Sequence, residues 1–177
     1  RHAPVGRGPA VVSAPVIREA RAGDRAAIHA LVAAAFGQAA EADLVAALVR
    51  DGDSVLELVA EGDGRLAGHV LFSRLMVEGE DLPFPAVALA PLAVAEDARR
   101  QGVAAALVEE GHARLRAAGE RLSVVLGDPA YYGRFGYRHD RAAGFDCEWQ
   151  CDALQALAWG DAPATGRLAY ARAFADL

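Results

Sequence analysis

Six residues, Arg99-Arg-Gln-Gly-Val-Ala104, bring together two full positive charges, a glycine and the start of an alanine-rich apolar run. That combination suits an anion. The first N–H groups of a helix have no intrahelical partner and carry the positive end of the helix dipole, so a phosphate placed there satisfies both. Gly102 removes the side chain where phosphate must approach, Val103 and Ala104 carry the helix onward, and Arg99 and Arg100 add guanidinium groups, with Gln101 in the same turn. The segment reads as a cradle for a phosphate or diphosphate.

Two familiar cradles are excluded. A P-loop needs Gly-Lys-Ser/Thr, and the chain has no lysine: all 18 of its Lys+Arg residues are arginine. A dinucleotide fingerprint needs three spaced glycines after the first strand of a βαβ unit, whereas this turn has one glycine and lies in mid-chain.

For proton transfer, Glu41, Glu57, His69 and His112 have the right chemistry, and His69, in an apolar strand near the centre of the sheet, is the best placed. A water relayed by backbone carbonyls is the alternative to any side-chain base. Cys147 and Cys151 are the only cysteines. On a strand they stand on one face roughly 13 Å apart, too far for a disulfide. Two thiols without a histidine pair also fall short of a zinc set, so both are expected to be small packed side chains and no metal is expected.

The elements that must hold these residues follow from hydrophobic periodicity. Phe84–Val94 reads as a strand whose Pro91 cannot donate to a ladder and so belongs at a bulge or an unpaired stretch. The helix runs from Gly102 to Ala118, with Val103, Leu107, Gly111 and Leu115 on one stripe and Gly119 as its stop. Leu122–Leu126 is the next strand, making a right-handed parallel βαβ unit.

Upstream, Val16–Ala20 is a short strand and Asp24 the N-cap of a helix with Ile28, Leu31, Val32 and Ala35 on one face. A second helix covers about Glu41–Arg50. Strands over Ser54–Ala60 and Arg65–Met76 are joined by a hairpin at Glu61-Gly-Asp-Gly64. Downstream, strands are expected around Phe145–Cys151 and Arg167–Ala173, with Leu154–Thr165 left without an element. Residues 1–15 read as a flexible arm and 16–177 as one domain.

The chain has 177 residues, 54% hydrophobic content and a formal charge of −6. That length supports one well-buried core. The acidic surface repels nucleic acid and anionic lipid and favours a cationic partner such as an amine. No apolar run approaches the roughly 20 residues that span a bilayer, and no signal-peptide pattern opens the chain, so a cytoplasmic protein is expected.

Arg99-Arg-Gln-Gly-Val-Ala104 resembles the Arg/Gln-x-x-Gly-x-Gly/Ala motif of the GNAT superfamily of acetyl-coenzyme A-dependent N-acetyltransferases. Downstream, Tyr132 precedes Tyr137 by five residues in Tyr-Gly-Arg-Phe-Gly-Tyr, similar to the aromatic box of the same enzymes. Gly68-His-Val-Leu-Phe-Ser73, Leu89-Ala-Pro-Leu-Ala-Val94 and Tyr170-Ala-Arg-Ala-Phe174 extend the likeness over roughly Val16 to Leu177, toward a bacterial subfamily whose members mostly lack an assigned substrate. The sequence departs from the commonest pattern at Ala104, where Gly is frequent, and at Gly127-Asp128, where many relatives carry Asn.

The resemblance implies an α/β (α+β) fold with a mixed, mostly antiparallel, splayed sheet flanked by helices. It also implies acetyl-CoA as co-substrate, its pantetheine arm pairing with the backbone of Leu92, Ala93 and Val94 as a partial extra strand. Arg99, Arg100, Gln101, Gly102, Val103, Ala104 and Tyr131 are the other coenzyme-binding residues, and Tyr132 is the general acid that protonates the leaving thiolate. The reaction is direct attack by an amine, small-molecule or peptide, in a ternary complex. A non-catalytic acyl-CoA-binding sensor is the alternative use of the same cradle. The last strand, ending in Tyr170, Phe174 and Leu177, pairs across a homodimer or closes the core.

Overall fold

The structure is a computed structural model that describes residues 14–81 and 83–177. Most of the expected N-terminal arm therefore lies outside the described residues. Strand β1 (Val16–Glu19) is followed by helices α1 (Arg25–Phe36) and α2 (Ala40–Arg50). Strands β2 (Ser54–Gly62), β3 (Arg65–Glu78) and β4 (Phe84–Val94) come next. Helix α3 (Val103–Ala117), strand β5 (Leu122–Leu126) and two short helices, α4 (Pro129–Tyr132) and α5 (His139–Ala142), lead to β6 (Phe145–Asp146), β7 (Leu154–Ala158) and β8 (Gly166–Tyr170).

The sheet runs β1-β2-β3-β4-β5-β7, antiparallel throughout except for β4 beside β5, while β8 adds to the far half of β3 and pairs in parallel with β6. This is the mixed, mostly antiparallel sheet expected, with helices on both faces. One face buries Leu58, Val70, Phe72 and Val87 under α3 through Val103, Leu107 and Leu115. The other buries Val59, Leu71 and Ala93 under α1 and α2 through Ile28, Val32, Val45 and Leu48. Leu75, Leu122, Val124, Phe145 and Leu154 form a third cluster around the far half of β3 and the β5–β7 pair.

The β2–β3 hairpin turns on Asp63 and Gly64, both at positive φ (52° and 75°), the two-residue loop whose twist matches the flanking strands. The expected bulge in β4 is real. Val70 pairs with Leu92 but Phe72 with Leu89, so Ala90 and Pro91 together face Leu71 alone.

Three expectations need correction. Asp24 precedes α1, but its carboxylate does not cap that helix: it turns back to accept from the Arg21 amide at 2.7 Å and from the Arg18 guanidinium at 2.8 and 2.9 Å. That cation holds its carboxyl down to about 2, against the smaller opposing effect of burial. The strand expected over Phe145–Cys151 shrinks to two residues because the Gln150 amide donates to the Ala142 and Phe145 carbonyls and folds the chain back. The sheet instead takes β7 from the stretch left unassigned, fully paired with β5 from Leu122/Ala158 to Leu126/Leu154. Cys147 and Cys151 consequently lie beyond β6 rather than on a strand, one half-buried and the other exposed. The tail closes the core, with Phe174 buried beside Val45 and Leu71.

Candidate functional site

Parallel pairing between β4 and β5 lasts only from Val87/Ser123 to Leu89/Val125. Past that point β4 stays with β3 while β5 stays with β7, so the sheet opens between Leu92–Val94 and Leu126. Leu126, at the lip, is 48% exposed, an apolar side chain facing solvent at the opening. The strand edge there carries free backbone groups. The Ala95 amide donates to the Ala67 carbonyl at 2.8 Å. By the two-residue alternation of an antiparallel ladder, Ala93 therefore also faces β3, whereas Leu92 and Val94 turn their N–H and C=O groups into the opening. Of the three strand residues expected to hold the pantetheine arm, two present their backbone to it.

At the mouth of the opening, the turn before α3 takes an unusual shape. Arg100 and Gly102 both have positive φ (63° and 79°), with Gly102 as N-cap. After the extended Arg99, these two left-handed residues turn the chain into the helix start, where the first N–H groups of α3 lie. The first intrahelical bond of α3 runs from the Ala106 amide to the Gly102 carbonyl, so the N–H groups of Val103, Ala104 and Ala105 are free. Arg99 and Arg100 are exposed, and among the described residues neither guanidinium has a hydrogen-bond or salt-bridge partner. Gln101 is different: its amide donates to the Asp97 carbonyl at 3.1 Å, so that side chain braces the turn.

Glycine elsewhere seats α3 against the opening. Gly68 lies opposite Val94, and a Cβ on it would come within 2.8 Å of Val103 and 2.9 Å of Leu107. The helix start thus rests directly on β3 beside the free edge of β4.

Tyr132 closes the other side. Asp128 caps α4, accepting from the Ala130 amide at 3.0 Å, and Pro129 supplies the first helical residue. The ring of Tyr132 covers Gly127 and packs against the core cluster under α3, meeting Tyr137 edge-on at 5.9 Å. Burial, with Tyr131 adding to it, pushes its hydroxyl up to about 12, so the group is a protonated donor at neutral pH. Among the described residues that hydroxyl has no hydrogen-bond partner. Tyr131 is half-buried, stacked edge-on against Tyr132 and lying beneath the Arg134 guanidinium.

On the opposite face stands His69. It is fully buried, and its Nε2 lies 2.8 Å from Glu57 Oε2, while the other oxygen of Glu57 accepts from Arg25 on α1. Burial alone would raise the Glu57 carboxyl, but the bonds from His69 and Arg25 outweigh it and leave the group below its ordinary value. His69 Nδ1 is buried and, among the described residues, without a partner. The pair exists because of a one-residue slip in the hairpin. Gly62 pairs with Arg65 and Glu61 with Leu66, but Ala60 pairs with Gly68, and this bulge brings Glu57 and His69 onto the same face.

The two other candidate bases are elsewhere. His112 Nε2 is 2.9 Å from the Tyr137 hydroxyl, which is 2.7 Å from Ser123 Oγ, and burial holds the imidazole down to about 4. It is a packing group of α3. Glu41, at the start of α2, accepts from Gln38. Sequence reading missed Gln155, 1% exposed, whose amide donates to the carbonyls of Gly127 and Ala153 at 3.1 Å and steadies the turn that carries Tyr132. Its lone polarity within Leu154-Gln-Ala-Leu-Ala158 was the available signal.

Among the described residues, no group of His, Cys, Asp and Glu is arranged to hold a metal ion, and no helix is long and apolar enough to cross a membrane.

Residues 16–139 match the family model described as an acetyltransferase (GNAT) domain. The chain is 45% identical over 127 residues to YhbS of Escherichia coli K12, named an uncharacterized N-acetyltransferase, covering 71% of this chain and 75% of that protein. It is 39% identical over 117 residues to YjhQ of the same organism, likewise named, covering 64% of each. The crystal structure of Escherichia coli YhbS in complex with CoA superposes with a TM-score of 0.83 at 39% identity, over 97% of this chain and 96% of that one. A Brucella melitensis GNAT acetyltransferase in complex with acetyl-CoA gives 0.77 at 34% identity, over 90% and 97%.

Proposed function

The chain belongs to the GNAT acetyltransferase family, and from that premise we propose that it transfers an acetyl group from acetyl-CoA to an amine by direct attack in a ternary complex. One observation carries the reading: the sheet opens at the point where the α3 cradle lies, so one elongated ligand can lay its diphosphate on Arg99–Ala104 and its pantetheine arm along Leu92 and Val94. Two neighbours of this fold were crystallised in complex with CoA or acetyl-CoA, which supports the same placement here.

The chemistry needs a neutral amine, a polarised carbonyl and a stabilised leaving thiolate. An amine with a pKa near 10.4 is deprotonated in about one molecule in a thousand or so at neutral pH, so a base matters. His69 takes that role, Tyr132 donates to the departing thiolate, and their places on opposite faces suit it: acceptor amine from one side, sulfur toward the other. Tyr131 and Arg134 cover the coenzyme beside α4. The net charge of −6 draws a cationic acceptor, whether small molecule or peptide.

The experiment is turnover. Release of free thiol from acetyl-CoA with primary amines is the expected result. Coenzyme binding with no transfer across a broad amine panel overturns the enzymatic reading and leaves a sensor.

A further inference from the structure

Resting on the assignment of His69 as base, we propose that Glu57 is its positioning residue, fixing the imidazole in the tautomer that keeps Nδ1 free to take the amine proton. Each oxygen of Glu57 is engaged by a different cation or donor, Oε1 by Arg25 and Oε2 by His69 Nε2 at 2.8 Å. An ionised carboxylate accepts only, so Nε2 carries a hydrogen, and in the neutral imidazole Nδ1 holds the lone pair. That lone pair is buried and unpaired among the described residues. A buried acceptor left unsatisfied is costly to the fold. The other histidines close to the core place a nitrogen differently: His112 Nε2 on Tyr137, His139 Nδ1 on the Leu154 carbonyl. A purely structural link from α1 to β2 needs only Arg25 and Glu57; it gives no reason to leave Nδ1 bare.

Position agrees with the role. His69 pairs with Ala93, and Ala93 lies between the two residues whose amides face the opening. The β3 backbone at His69 is therefore one strand spacing, about 5 Å, from the β4 backbone at Ala93. In the reaction, an N–H proton of the acceptor passes to Nδ1, the amine nitrogen bonds to the acetyl carbon and the C–S bond breaks. The thiolate then takes the Tyr132 proton.

The test is ¹⁵N-histidine NMR of the full chain together with steady-state rates, using acetyl-CoA with phenethylamine, spermidine and a lysine peptide as acceptors. We expect His69 as the Nε2–H tautomer in the parent and a mixed or Nδ1–H tautomer in Glu57→Gln. The same variant should lose roughly tenfold or more in kcat with KM for acetyl-CoA within about twofold, and Glu57→Asp should recover part of the loss. Arg25→Met, which leaves the His69 contact intact, should keep the parental tautomer. An Nδ1–H tautomer in the parent overturns the proposal, and that spectrum decides it even if Glu57→Gln fails to fold. Parental kcat in Glu57→Gln with an inactive His69→Gln also overturns it while sparing the base. Parental kcat in His69→Gln removes the base itself.

Discussion

The Tyr132 ring lies so close over Gly127 that a Cβ built there would come within 2.5 Å of it. The glycine that departs from the commonest family pattern is thus the seat of the tyrosine that follows it. Gly127→Ala should push the ring off the opening, lowering kcat by roughly tenfold and costing about 1–3 kcal/mol of stability. Initial rates and thermal unfolding check it; parental rates would mean the ring's position is not tied to this contact.

Tyr132→Phe should lower kcat roughly ten- to a thousandfold with the affinity for acetyl-CoA nearly unchanged. The thiolate's own low basicity sets the lower end of that range. Because burial lifts the folded-state hydroxyl to about 12 from 10.0, the stability it contributes is complete below pH 10 and lost as pH rises toward 12. Alkaline unfolding of the parent should begin earlier than that of the phenylalanine variant, as followed by circular dichroism.

At the proposed cradle, Gly102→Asp puts a carboxylate in the turn assigned to the diphosphate and a side chain at φ 79°. Space is not the obstacle, since nothing lies within 4 Å of a Cβ there. The acid suits the helix dipole and offsets part of the backbone strain, so stability should change by no more than about 1 kcal/mol. Coenzyme affinity, read by calorimetry, should fall tenfold or more on the order of one lost charged contact. Binding equal to the parent's would refute the cradle.

His112 provides a pH test remote from the chemistry. Its folded-state value, near 4, lies below the 6.5 of the free side chain, so the unfolded chain binds the extra proton first. Stability is therefore lost as pH falls from 6.5 toward 4. His112→Gln should flatten that part of the melting-temperature profile relative to the parent; identical slopes would show that the imidazole does not contribute.

The β4–α3–β5 unit was legible because the hydrophobic period changes from two to nearly four at a single glycine, and the Asp63-Gly64 hairpin because its turn chemistry is specific. β7 was not: Leu154, Ala156 and Gln155 are all buried, so the strand lacks an alternating polar face. Its partner β5 is also distant in sequence, where local pattern says little. The same limit applies to the site. Tyr132 and the cradle follow from contiguous motifs, whereas the meeting of Glu57 and His69 depends on the slip after Ala60. With the uninterrupted register set by Gly62 and Arg65, Glu57 would share a face with Val70 instead.

Gly68 has a last implication. Coenzyme A is a ruler of nearly fixed length between diphosphate and sulfur, and the protein must hold its two end-stops to match. In the proposed binding mode one end-stop is the start of α3, resting on a position with no side chain; the next residue on the same strand is His69. On that proposal, a single methyl at 68 would lengthen the gauge at one end while leaving the imidazole in place, offering the thioester slightly out of true to the proposed base.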